Sequence, residues 1–167
     1  MNSSAAVTAV GFAALFGLAL ASTQQSRPPS EEATKREIKA AFDQYYEWFS
    51  AARADLVAER VYQAPIQFLQ PNGFFIAPSQ DSIRPGLEAM FKPMIAGGYS
   101  RTEMPSPSIC VLNESAGIVS GRYTRYRRDG SVMGTFGASY VFARTPGGWR
   151  IVSVISHDAN KVVRCDN

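Results

Sequence analysis

GIVSGRYTRYRR-DG-SVMGTFGASYVFAR, running from Gly117 to Arg144, is the stretch whose reading decides the fold. Its two long arms alternate residue by residue, and Asp129-Gly130 between them is a dipeptide that closes tight hairpins because both residues tolerate positive φ. Gly117 to Arg128 and Ser131 to Arg144 are therefore expected as paired strands. Outward from this hairpin the pattern continues. Thr145-Pro-Gly-Gly148 turns the chain into a strand from Trp149 to Ser156, and Glu114-Ser-Ala-Gly117 precedes it with a strand from Ser108 to Asn113. The second half is an antiparallel meander.

The first half has a different period. Ile38, Phe42, Tyr45, Tyr46 and Phe49 recur at helical spacing, with Ser30 as N-cap and Glu31 and Glu32 in the first turn, which predicts a helix to about Ala52. Asp55 is the expected N-cap of a short second helix that buries Leu56, Val57, Val61 and Tyr62 and ends at Pro65. Ile66 to Leu69 and Phe74 to Ala77 then flank Gln70-Pro-Asn-Gly73, a hairpin turn. A third helix is expected over Gln80 to Ala96, with Ile83, Leu87, Met90 and Phe91 on its apolar stripe and Pro93 as a kink or stop. Helices followed by a meander mean α+β, with helices on one face of a sheet.

At 167 residues, 46% hydrophobic and 19% charged, the chain has the composition of one globular domain. Its net charge of +3 is too small, and its Arg122, Arg125, Arg127 and Arg128 cluster too local, for a nucleic-acid footprint. Ala5 to Ala21 is apolar, free of charge and closed by Ala19-Leu-Ala21, the pattern of a secretory leader cut after Ala21. An uncleaved membrane anchor is the alternative. Residues 22–30 read as a flexible polar linker, 31–158 as the domain and 159–167 as a C-terminal tail. Secreted or periplasmic placement would let Cys110 and Cys165 bridge if a returning tail closed the distance; two unpaired thiols are the other reading. With one histidine and no paired ligand spacing, no zinc site of soft ligands is expected, an argument that leaves carboxylate-only metal sites open; no metal or other cofactor is assigned to the chain.

Along the last strand, simple alternation puts Trp149, Ile151, Ser153, Ile155 and His157 on one face and Val152 and Val154 on the other. Helices cover only one face of so small a sheet, so a homodimer through the face holding Val152 and Val154 is expected.

Three local features carry a family resemblance: Ala54-Asp55-Leu56, the Gly-rich hairpin before the third helix, and Tyr140-Val-Phe-Ala-Arg144 followed by Gly148-Trp149-Arg150-Ile151. Over about Thr34 to Asp158 the chain resembles the nuclear-transport-factor-2-like (SnoaL-like) superfamily. That resemblance implies a cone-shaped, strongly curved antiparallel sheet around the first helix, a pocket at its open end, and frequent dimerisation. Functions in the superfamily range from isomerases, cyclases and dehydratases to proteins without catalysis. Ketosteroid isomerases of this fold use a helix-1 Tyr, matched here by Tyr46, but Gln70-Pro71 stands near their base and Tyr140 near their late acid.

The residues available for chemistry support two hypotheses. His157, at a strand end, is a candidate general acid or base, with Asp43 on the first helix as its candidate partner; the alternative is a hydrogen-bonded strand-end histidine. Tyr45, Trp48, Phe49, Arg122, Tyr126 and Tyr140 are the candidate ligand-binding groups, Arg122 pairing a carboxylate or enolate. One hypothesis is an exported domain that binds a small apolar organic molecule, with no nucleic-acid or membrane partner after leader removal. The other is an isomerase, cyclase or dehydratase of a polyketide- or steroid-like substrate, which requires Tyr46 and His157 to converge on one cavity.

Overall fold

The computed structural model describes residues 29–165; the expected leader and the linker through residue 28 lie outside the described residues. The chain order is α1 Glu31–Ser50, a short α2 Ala54–Leu56 continuing into a π turn Val57–Val61, β1 Tyr62–Gln70, β2 Gly73–Ala77, α3 Gln80–Ala96, β3 Tyr99–Glu103, β4 Ser108–Asn113, β5 Ala116–Arg127, β6 Val132–Thr145 and β7 Gly148–His157.

Helix α1 begins as expected: Ser30 is extended, and its Oγ accepts from the Ala33 N–H at 3.3 Å. Glu31 and Glu32 sit at the positive end of the helix dipole. Thr34, Ile38, Phe42, Tyr45 and Phe49 form its buried stripe, and large side chains such as Ile38 and Phe42 each contribute roughly 1.5–3 kcal/mol by leaving water. Past Ser50 the left-handed Ala52, at φ 52°, turns the chain, and the Arg53 N–H closes back on the Trp48 carbonyl at 2.9 Å. This helix lies in the hollow of the sheet. Glu37 accepts from Trp149 Nε1 at 3.0 Å and from Arg144 at 2.5 Å, while Ser50 Oγ accepts from the Thr102 N–H at 3.0 Å.

The seven strands run β2-β1-β7-β6-β5-β3, and β5 carries two partners on one edge: β4 pairs its Ala116–Ser120 end and β3 its Thr124–Arg127 end. Bulges interrupt β1, β3, β4, the β5–β6 pair and the β6–β7 pair, and these bends curl the sheet into an open cone. The α+β cone matches expectation.

Several details correct it. The sheet is mixed, because β1 and β7 pair in parallel through Gln67↔Ser153 and Phe68↔Val154. Strand β1 starts at Tyr62 rather than Ile66; Pro65, preceded by a cis bond, sits in the bulged stretch between Tyr62 and Gln67, where a missing N–H is tolerated. Asp55 does not cap α2 but pairs with Arg53 at 2.6 Å, and Arg53 occupies the N-cap. Pro93 does not end α3, which continues to Ala96. Strand β3, Tyr-Ser-Arg-Thr-Glu, was unexpected: too polar to read as a strand, it forms because β5 offers an open edge.

The last correction concerns β7. Ile151 pairs with Phe142 and Ser153 with Val141, so Val152 is the extra residue of a bulge and the alternation shifts by one. Ile151 is fully buried, and Val154 and Ser156 face the interior of the cone, which leaves Ser153, Ile155 and His157 outside. The expectation that Val152 and Val154 share an outer dimer face therefore fails for Val154. Apolar groups that do lie open on the outer side are Leu69, Phe74 and Ile76 of the β1–β2 hairpin.

Beyond His157 the tail crosses the outer face of the sheet and bonds Cys165 to Cys110 on β4, 5.7 Å between Cα atoms. The returning tail thus supplies the closure that strand positions alone could not. A directed chain of hydrogen bonds fixes its course. The Val163 N–H donates to Ser120 Oγ at 3.0 Å, Ser120 and Ser139 hydroxyls are 2.7 Å apart, and Ser139 Oγ lies 3.0 Å from His157 Nε2. His157 Nδ1 is 2.8 Å from the Asp158 carbonyl, which only accepts, so Nδ1 carries the proton and Nε2 accepts from Ser139. Each serine then accepts one bond and donates one, which satisfies two hydroxyls that are almost fully buried.

Candidate functional site

Inside the cone lies a cavity of about 110 Å³, bounded by α1, α3 and the inner faces of β1, β3 and β5–β7. Its chemistry comes from five phenols, Tyr45, Tyr46, Tyr62, Tyr123 and Tyr140, with Arg125, Gln70, Thr102 and Ser156 as the other polar groups. Helical spacing aims Tyr45 and Phe49 inward along α1, and Tyr46 follows at the edge of that stripe.

The phenols pair with one another: Tyr45 with Tyr62 at 3.0 Å and Tyr46 with Tyr140 at 3.1 Å between oxygens. Their rings pack at tilted and edge-to-face angles, Tyr45 against Tyr46 at 5.3 Å and against Tyr140 at 5.5 Å, arrangements that favour aromatic pairs. Burial pushes the ionisation of Tyr45, Tyr46 and Tyr140 well above the ordinary phenol range and raises Tyr62 to about 12. At neutral pH these groups are therefore O–H donors, not bases. Since their folded values lie above the unfolded one, the stability they confer is complete below about pH 10 and is lost as pH rises through the folded values.

Arg125 is the one cation among the lining residues. Its guanidinium carbon lies 5.7, 5.4 and 5.5 Å from the ring centres of Phe49, Tyr123 and Phe136, within cation–π range. Its Nε is shielded from solvent and has no hydrogen-bond partner, and among the described residues no carboxylate pairs with it.

The structure brings Tyr45, Tyr46, Phe49 and Tyr140 of the expected groups together at this cavity. Trp48 packs against the core without lining it. Arg122 and Tyr126 fall on the outer side of β5, because Tyr123 and Arg125 are the residues that face in; Tyr126 stacks under Arg101 at 4.3 Å instead. His157 also lies outside, both of its nitrogens committed to the serine chain and the Asp158 carbonyl. Tyr46 and His157 therefore do not converge. Asp43 is exposed, held by Lys39 at 2.6 Å, on a shallow groove beside Tyr46 and far from any contact with His157. Arg125, Tyr62 and Tyr123 were missed. The signal for Arg125 was its two-residue offset from Tyr123: the bulged residue here is Met133 on β6, so β5 itself alternates without a break, and the expectation took the opposite face of that alternation as the inner one.

Comparison with known proteins agrees with this fold. Residues 36–159 match the family described as NTF2-like protein (DUF6841). Among solved structures, the chain is similar to an NTF2-like superfamily protein from Salmonella enterica serovar Typhimurium, at 23% identity and a TM-score of 0.59, covering 79% of this chain and 95% of that one. It is also similar to the protein Aln2 from a Streptomyces species, at 16% identity and a TM-score of 0.63, covering 79% and 94%. An NTF2-like protein with a cystatin-like fold from Novosphingobium aromaticivorans, at 16% identity and a TM-score of 0.62, covers 77% and 83%. At these identities the likeness concerns the fold. No curated protein sequence matches the chain.

Proposed function

We propose, from the premise that this chain belongs to the NTF2-like protein family DUF6841, that it is an exported domain that binds a small, largely apolar organic molecule in its cone and does not depend on turnover. The observation that carries this reading is the lining itself: five neutral phenols and several apolar side chains, with no carboxylate or imidazole among the lining residues. Such a surface gains affinity from apolar contact and orients a ligand through O–H donors. A disulfide between Cys110 and Cys165 favours an oxidising compartment, in keeping with an exported protein. Exposed Leu69, Phe74 and Ile76 favour self-association of the outer sheet face.

Native mass spectrometry of the protein from the exported fraction tests all of these at once. We expect a mass beginning near Ser22, a dimer at micromolar concentration, and a retained small molecule whose affinity falls about three- to tenfold in Tyr140→Phe, the loss of one hydrogen bond. A protein that carries nothing and binds no organic compound offered to it overturns the reading.

A second reading, an isomerase, cyclase or dehydratase, draws on one observation: the Tyr46 and Tyr140 hydroxyls are hydrogen-bonded at 3.1 Å, and the O–H of the pair left free would donate to a developing oxyanion. Gln70 lines the same cavity, the family resemblance sets it near the position of the ketosteroid-isomerase base, and an amide cannot take a proton from carbon. A 5-ene-3-ketosteroid is therefore expected to remain unconverted under conditions where a true isomerase completes the reaction. Turnover that disappears in Tyr46→Phe would promote this reading over the first.

A further inference from the structure

A second cavity, of about 180 Å³, lies behind the first and shares Phe68, Gln70 and Met90 with it. Its remaining walls are almost wholly apolar: Phe75, Ala77, Ile83, Gly86 and Leu87, with Ser82 at the margin. Between the two stand the Phe68 ring, stacked on Phe75 at 4.5 Å, and the Met90 thioether, an unbranched side chain that changes rotamer at little cost. Arg125 occupies the opposite wall of the first cavity. It projects from β5, whereas Phe68 and Gln70 project from β1, and β6 and β7 lie between. Three strand spacings correspond to about 14 Å along the sheet, shortened by its curl.

The site is thus polar-charged at one end and apolar at the other. A guanidinium stays protonated at any physiological pH, and its five donors form a planar fork suited to a carboxylate. Here that fork is screened by three aromatic rings, has a shielded and unpartnered Nε, and meets no carboxylate of the chain among the described residues. Aromatic walls on one side of this charge cannot screen it as water would, which strengthens its attraction for an arriving counter-ion. One cation and several neutral O–H donors match a monoanion; a phosphate dianion would remain undercompensated.

We propose that the ligand is a monocarboxylate amphiphile, its carboxylate paired with Arg125 and its apolar body running past the phenols and between Phe68 and Met90 into the second cavity. This rests on the binding reading above and names the ligand class for it. A fatty acid and an aryl-alkyl acid share this chemistry, and chain length and ring content in a ligand series separate them.

Titration calorimetry with octanoate, butanoate, 4-phenylbutanoate, 1-octanol and octylamine tests the proposal. Octanoate or 4-phenylbutanoate is expected to bind at least tenfold more tightly than butanoate and than 1-octanol, with octylamine weakest. Arg125→Gln should weaken the carboxylates at least tenfold and leave 1-octanol unchanged, while Arg125→Lys retains part of the preference. Thermal melting of both variants confirms that they fold. Gly86→Leu fills the second cavity from a position where an added Cβ meets nothing, and should bring octanoate down to the level of butanoate. Equal binding of octanoate and 1-octanol, indifferent to Arg125→Gln, overturns the carboxylate assignment and leaves the binding reading standing. Retention of a neutral or cationic molecule by the exported protein, with no response to the acids, does the same. Failure of every compound, with nothing retained on purification, overturns both.

Discussion

Replacing Cys110 and Cys165 together by serine is expected to lower the free energy of unfolding by about 4 kcal/mol, the entropy of closing a loop of 55 residues in the unfolded chain. The mutation also frees the tail, so that the Val163 N–H loses its hold on Ser120 and the buried Ser120–Ser139 pair opens toward water. Chemical denaturation of the oxidised protein and the double variant measures the difference. Since the strap lies on the outer face and the cavity on the inner one, ligand affinity under native conditions should change little. A variant as stable as the parent would mean that the bridge contributes nothing beyond what the hydrogen-bonded tail supplies.

Phe142→Ala is expected to cost about 3–5 kcal/mol, the usual range for deleting a buried aromatic ring and leaving a void. Phe142 is 1% exposed and meets Phe42 edge-on at 6.5 Å, and Phe42 in turn packs on Tyr46 at 4.6 Å and Tyr140 at 5.6 Å. The ring therefore supports the phenol cluster from behind. Ligand affinity should fall together with stability, in contrast to the cysteine variant, and a destabilisation below about 1 kcal/mol would mean that the neighbouring side chains collapse into the space.

Helix α1 and the β4–β7 meander were legible because their patterns are local. A stripe at Ile38, Phe42, Tyr45 and Phe49 needs only helical periodicity, and Asp129-Gly130 needs only its own backbone preference. Expectation failed where the determinant is distant in sequence. Strand β1 pairs in parallel with β7, joining Gln67 to Ser153, and no local signal announces a partner so far along the chain. Face assignment depends on an unbroken count of two and on which face is inner: the bulge at Val152 shifts the count on β7, whereas on β5 the count is unbroken and only the choice of face differs. The shift on β7 put His157 in the expected site, and the opposite choice of face on β5 put Arg122 there and left Arg125 out of it. Tyr45, Tyr46, Phe49 and Tyr140 line the cavity because the α1 stripe and the β6 stretch beyond Gly134 run without such interruptions.

The bridge to β4 also decides how the molecule would respond to a pull on its two ends. Tension entering at Ser30 and leaving at Cys165 passes through Cys110 and the sulfur–sulfur bond, so residues 111–164, with β5, β6 and β7, stay outside the load path. Only the segment from α1 to the start of β4 can be drawn out, to a contour of roughly 290 Å at about 3.6 Å per residue. Cutting the bridge releases the shielded hairpins and lengthens that tether by well over half.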